Sequence, residues 1–330
     1  MPILRGLKRI PGGMMIIPLF VGCLLNTFFS AALNIGGFTT GMFRGTNTVV
    51  AMYIFCSGAN IKVRQAGIPL YKGAMLLLIK LFIAWGIGIL LNTCFGPAGI
   101  LGITPFAVIA AITNSNGALY TALAGEFGDS TDVGALSMLS LNDGPFFTLI
   151  AMGCSGMAAF SPLAVIASVF PIVLGFILGN LDEEFGDMLK DAMPVLMFFS
   201  GIVVGTGMSL IQVVQGGLQG ILLGLLCVVS TGYGTYIIYS LINRVVLKKK
   251  RSPLGAAVGT VAGNAVATPA IIAEADPSPA GYAPMVTAQV SSACLITAIL
   301  CPMLTTYLAK RDRRLTELET KTAQLHTQPL

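Results

Sequence analysis

The chain has 330 residues, 55% of them hydrophobic and only 10% charged, with a mean hydropathy of +0.84 and a formal net charge of +5. Soluble domains carry about 25% charged residues, so a chain this apolar has too little polar surface to stay dissolved and reads as a polytopic membrane protein. The single histidine, His326, lies in the polar tail and excludes a histidine-built metal or catalytic site; the seven cysteines fall in apolar runs without a CxxC pair and read as small core residues, not disulfides or metal ligands.

Ten apolar spans follow in chain order, at about 13–33, 45–61, 70–95, 103–127, 132–157, 162–180, 192–210, 216–243, 253–275 and 281–309. The opening stretch, MPILRGLKRIPGGMMIIPLF, has the basic start and apolar run of a signal peptide, yet its Pro18 and Gly22 recur later in the chain, so it is read as part of the fold. Ten crossings place both termini on one side. All but Arg44 and Lys80 of the 19 Lys and Arg residues fall on that side: in the N-terminal stretch, after spans two, six and eight, and in the tail. That bias predicts cytoplasmic termini. Basic residues confined to loop ends are not a nucleic-acid signal. The run 248–251 reads as a topology anchor and the acidic run Asp182–Asp191 as a solvated loop.

The two halves align. TNSNGALYTALAGEFGDS places Asn116 ten residues before Glu126, and TVAGNAVATPAIIAEADPS places Asn264 ten residues before Glu274; the same offset aligns Ser130 with Ser278. Pro18 and Gly22 in span one match Pro171 and Gly175 in span six, and Ser57-Gly58 matches Thr206-Gly207. Five spans per half is odd, so the second half enters from the opposite side. An inverted repeat with paired interrupted helices is the pattern of secondary transporters, with the site near the midplane. Span four carries Thr113-Asn114-Ser115-Asn116-Gly117 at its centre, and the ten or so residues on each side reach roughly 15 Å, half the hydrocarbon core. Span nine repeats the break at Gly263-Asn264, with Thr268 as an N-cap and Pro269 at the first helical position. Helices starting near 117 and 269 present free N–H groups and a partial positive charge, which favours an anion. Asn114, Ser115, Asn116, Gly117, Gly263, Asn264 and Thr268 are the candidate substrate-binding residues.

Of the 14 acidic residues only Asp143, in LSLNDGPFF, lies mid-span. A lone intramembrane carboxylate is costly and protonation removes the cost, so Asp143 is the candidate proton-coupling residue; the competing reading is a structural partner for Lys80. Lys80, the one basic residue inside a span, either pairs with Asp143, contacts an anionic substrate or snorkels.

The stretches IPGGMMIIPLFVG, TNSNGALYTALAGEFG, GNLDEEF and AVATPAIIAE closely resemble the bacterial 2-keto-3-deoxygluconate permease family, and the similarity runs over nearly the whole chain. The resemblance implies proton-coupled uptake of 2-keto-3-deoxygluconate and a place in the bile-acid sodium symporter superfamily. It also implies an all-α fold of ten helices in inverted five-helix repeats, 1–160 and 161–309, before a polar cytoplasmic tail, 310–330. Spans one, two, six and seven would form a panel domain, and the others a core containing crossed, broken helices four and nine. The expected protein is a multi-pass transporter of the bacterial inner membrane, with a sugar-acid substrate, a coupling proton, and neither cofactor nor metal. The alternative is a sodium-coupled organic-anion symporter on the same fold. A membrane enzyme lacks support, having no intramembrane His, GxSxG or HExxH, and duplicated broken helices argue against a passive channel.

Overall fold

The computed structural model describes residues 3–9, 13–61, 67–142, 145–157, 162–207, 210–245, 251–275 and 280–327. The described residues form helices throughout, with no strand among them. Four helical stretches are long and apolar enough to cross a bilayer: Ile68–Phe95, Glu183–Gly205, Gly216–Val245 and Ala283–Glu317. Only 33–39% of their most apolar windows is buried inside the protein. The remainder faces outward, as do Leu163, Val214 and Leu218, each more than two-thirds exposed. An outer surface this apolar needs lipid as its solvent, and the chain is a multi-pass membrane protein.

The helices pack in two sets. The first comprises α2 (Gly13–Leu33), α4 (Thr46–Ala59), α11 (Pro162–Leu181) and α12 (Glu183–Gly205), with α2 on α12, α11 on α4 and α4 on α12. Small residues let the backbones touch. A Cβ on Gly22 would lie 2.3 Å from the Ile202 carbonyl oxygen, and one on Gly205 would lie 2.0 Å from that of Leu19. The same contact recurs on the other pair: a Cβ on Gly58 would meet the Ile172 carbonyl at 2.1 Å, and one on Gly175 that of Phe55 at 1.9 Å. Gly22 and Gly175, matched in sequence, thus sit at equivalent helix crossings. The partner of Gly58 in this correspondence is Gly205 rather than Gly207, whose Cβ position meets only the Val204 carbonyl at 3.3 Å.

The second set holds α5 (Ile68–Phe95), the pairs α6 (Pro105–Ile112) with α7 (Gly117–Phe127) and α15 (Leu254–Ala257) with α16 (Thr268–Ala275), α13 (Leu210–Cys227) with α14 (Gly234–Val245), and α17 (Ala283–Thr327). Between α13 and α14 a six-residue π-helical segment, Val228–Tyr233, keeps the helix continuous but wider.

Several elements differ from the expectations. Span five is not one helix: α8 (Ser130–Gly134), α9 (Leu136–Leu139), a 3₁₀ turn at Ser140–Asn142 and α10 (Phe146–Cys154) divide it. Pro145, without an N–H, stands at the cap of α10. The acidic run at 182–191 is the start of α12 rather than a loop: Asp182 caps it, accepting from the Glu184 and Phe185 amides, and Glu183 and Glu184 occupy the first turn, where the helix dipole favours anions. The polar tail continues α17 as far as Thr327. Lys72 is buried in an ion pair 2.7 Å from Asp132 and 3.3 Å from Asp129, tying α5 to α8. The Thr131 hydroxyl, then the Asp132 amide and Lys72, hold the Asp129 carboxyl well below the usual carboxylate range.

The glycine crossings predict that Gly175→Val, which drives a side chain into the Phe55 carbonyl, costs about 1–3 kcal/mol of stability. Gly86→Ala, where a Cβ meets nothing within 4 Å, should leave the melting temperature in detergent unchanged or higher. Equal melting of both variants would contradict the close packing.

Candidate functional site

The break in span four falls where its sequence puts it. Thr104 caps α6 by accepting the Ala107 amide at 3.0 Å, with Pro105 at the first helical position. The helix ends at Ile112, and the Thr113 hydroxyl bonds back to the Ile109 carbonyl at 2.9 Å and across to the Thr148 hydroxyl at 2.6 Å. Asn116 then caps α7, its Oδ1 accepting from the Leu119 amide at 3.1 Å. The break in span nine is longer than the sequence suggests. Helix α15 has four residues, the chain is non-helical from 258 to 263, a 3₁₀ turn covers Asn264–Val266, and α16 starts at Thr268. This stretch lies on the π segment: a Cβ on Gly259 would come within 2.4 Å of Gly232 Cα. Two of its carbonyls, those of Val258 and Thr260, are turned to a partner outside the segment.

That partner is Lys80, in the middle of α5 and 1% exposed. Its ammonium donates to the carbonyl oxygens of Asn114 at 2.6 Å, Val258 at 2.5 Å and Thr260 at 2.9 Å, and to the Ser115 hydroxyl at 2.9 Å. Two oxygens come from each broken segment. The three N–H donors of an ammonium are fully engaged by four acceptors. The two segments are also joined directly, by the Asn116 amide donating to Thr260 Oγ1 at 3.0 Å and the Ser115 hydroxyl donating to the Val258 carbonyl at 3.3 Å. The Val261 amide donates to Thr297 Oγ1 of α17 at 2.9 Å, and Asn142 Nδ2 to Ser115 Oγ at 3.4 Å. Lys80 therefore neither snorkels nor reaches outward. It fastens the crossing.

A cleft opens beside the crossing, between the two helix sets. Tyr53 and Ile54 of α4 and Met197 and Ser200 of α12 form one wall; Asn264, Thr268 and Ile271 form the other, with Pro145 at its side. The Ser200 hydroxyl is buried and has no hydrogen-bond partner among the described residues. The start of α16 faces this space through Ala267 and Thr268.

Among the residues expected to hold substrate, Asn264 and Thr268 line the cleft. Asn114, Ser115 and Asn116 lie at the crossing, the first through its carbonyl to Lys80, the second through its hydroxyl and the third as the α7 cap; Gly117 opens α7 and Gly263 precedes the 3₁₀ turn. Asp143 lies outside the described residues. Its flanking neighbours reach both features: Asn142 bonds to Ser115 and Pro145 borders the cleft. Sequence reasoning passed over Ser200 and Thr260. Ser200, the one hydroxyl in MFFSGIVVG, carried a usable signal. The Val258 and Thr260 carbonyls carried none, because backbone direction is not written in residue type.

Comparison with known proteins is consistent along the chain. The family model described as 2-keto-3-deoxygluconate permease matches residues 4–314. The chain is 45% identical over 320 residues to 2-keto-3-deoxygluconate permease 1 of Salmonella typhimurium, covering 97% of this chain and 99% of that one. It is 36% identical over 310 residues to the 2-keto-3-deoxygluconate permease of Xanthomonas axonopodis pv. citri, covering 92% and 96%. Against the protein of that name from Escherichia coli (strain K12 / DH10B), identity is 36% over 317 residues, covering 94% and 95%.

Thr260 is fully buried and its hydroxyl is the acceptor that links the second segment to the Asn116 amide. Thr260→Val keeps the shape and strands that amide, at a cost of about 1–3 kcal/mol. Thr260→Ser restores the acceptor. Thermal melting in detergent should fall for Val and recover for Ser; a Val variant as stable as the parent would show that the link contributes nothing.

Proposed function

Because the chain belongs to the 2-keto-3-deoxygluconate permease family, we propose that it imports 2-keto-3-deoxygluconate by proton symport, with alternating access around the crossing of its two broken segments. The family is one of permeases, not enzymes. The observation that carries the reading is the cleft between the two helix sets, where polar groups converge in apolar surroundings. A sugar acid offers one carboxylate and several hydroxyls. The start of α16 supplies the partial positive charge of a helix N-terminus for the carboxylate, although Pro269 carries no N–H and the Ile271 amide is held by the Ala267 carbonyl. Asn264, Thr268 and Ser200 supply partners for the hydroxyls. Asn114, Ser115, Asn116, Gly117 and Gly263 shape the crossing against which the substrate rests.

Ten helices in two inverted five-helix repeats fit this mechanism. The set α2, α4, α11 and α12 acts as the panel, and its paired glycine crossings support a two-fold relation between halves. The second set acts as the moving core. A cleft bounded by both sets closes on one side and opens on the other as they shift. The distribution of basic residues supports cytoplasmic termini in a bacterial inner membrane.

Asp143 is the proposed proton carrier, supported by its place as the one mid-span acid in the sequence and by the contacts of Asn142 and Pro145 beside it. Its neutral form can pass a dry intermediate that the charged form cannot.

Purified protein in sodium-free liposomes should accumulate 2-keto-3-deoxygluconate when an inward proton gradient is imposed. Accumulation that follows a sodium gradient and ignores pH would establish the sodium-coupled alternative instead. Asp143→Asn should abolish accumulation and retain substrate exchange; an Asn variant that still concentrates substrate removes the proton role from Asp143. Asn264→Ala should weaken substrate binding about tenfold, as expected for one unpaired buried hydrogen bond.

A further inference from the structure

The crossing has the form of a cation site. Oxygens from two interrupted helices point at one buried place, and three of the four are backbone carbonyls. Unwound carbonyls and half-helix ends at mid-depth are the groups that coordinate a monovalent ion in membrane transporters. Asn114 follows directly on the C-terminal end of α6, where the dipole adds negative potential. Here the place is occupied by the side chain of α5. The four described oxygens around Lys80 are all neutral, and no described carboxylate forms an ion pair with it, which suits a cation as such.

We infer that the Lys80 ammonium is a tethered cation: it permanently fills a monovalent-cation site at the crossing of the two broken segments, so that this site needs no ion from solution. The inference deepens the transport reading above and rests on it for its functional meaning. It also gives Lys80 a role apart from the substrate, since its donors already meet the described oxygens of the crossing. The charge remains in place through the cycle and holds the two breaks together while the cleft beside them changes access.

A site of this kind can be emptied and refilled. Lys80→Ala removes the ammonium and leaves the oxygens facing a gap large enough for a small cation. The full-length variant, made and purified in choline chloride and in sodium, ammonium or methylammonium chloride, should show a melting temperature that rises with the concentration of at least one small cation. The parent protein, its site filled, should melt identically in all four salts. Lys80→Gln places a neutral donor of similar reach in the gap and should be destabilised without recovery in any salt. In liposomes, uptake by Lys80→Ala should fall about tenfold or more in choline, as expected when buried acceptors lose their donor, and recover in part with the stabilising cation.

The melting series does not involve the sugar acid, so failure of transport in the parent leaves this test intact. A Lys80→Ala protein that no cation stabilises, whether it folds or not, overturns the inference. So does a Lys80→Gln protein as stable and active as the parent, because then charge is not what the site requires.

Discussion

An ammonium at the centre of a membrane protein must be surrounded by oxygen, and most of this architecture can be understood as the means of supplying it. Removing a charge from water costs several kcal/mol even after relaxation. Charge-assisted hydrogen bonds, about twice as strong as neutral ones, offset that cost when every donor is used. Lys80 uses all of its donors. A regular helix points its carbonyls along its own axis, each holding an amide one turn on, so several of them do not converge on one point beside it. The segments around Asn114 and Val258–Thr260 therefore leave the helix, and the lysine and the breaks require each other: unwound backbone at mid-depth is tolerated only where its polar groups find partners. The π segment opposite completes the arrangement by letting Gly232 and Gly259 approach backbone to backbone.

The same constraint ties each helix set together internally. The crossing is fastened by Lys80, by the Asn116–Thr260 bond and by Thr297, so the two breaks behave as one unit within the second helix set. The first set is fastened separately, through carbonyls seated on Gly22, Gly58, Gly175 and Gly205. Between the sets lie a cleft and fewer ties, among them the contact of α10 with α11 and the Leu210 amide donating to Thr27 Oγ1. Two separately packed helix sets with a cleft between them are the arrangement that the proposed alternating access would use.

Much of this was legible in residue type. Apolar run length located long helices such as Ile68–Phe95 and Glu183–Gly205, and the cluster Thr113–Gly117 located the first break to within a residue or two, because Asn116 and the following Gly117 are a cap and a helix start in their own right. Pro18 and Gly22 with Pro171 and Gly175 marked equivalent crossings. What escaped were features set by a partner distant in sequence. The second break is longer than Gly263 and Pro269 imply because Lys80 draws the Val258 and Thr260 carbonyls away. Lys80 in the sequence gives no sign of the Asn114, Val258 and Thr260 carbonyls that surround its ammonium, because these acceptors lie far from it along the chain. The acidic run after Asp182 resembled a loop by charge alone, although Asp182 is a cap and acids suit a first helical turn. Ser200 was passed over in an apolar stretch, since its meaning depends on the cleft it faces.

The most direct measurement is a structure of the protein with 2-keto-3-deoxygluconate bound. The expected result is sugar acid in the seam between the helix sets, its carboxylate at the first turn of α16 and its hydroxyls on Asn264, Thr268 and Ser200, with the Lys80 ammonium still on its four oxygens. Sugar acid bound away from that seam, or a substrate carboxylate that pulls Lys80 off the Asn114, Val258 and Thr260 carbonyls, would contradict it.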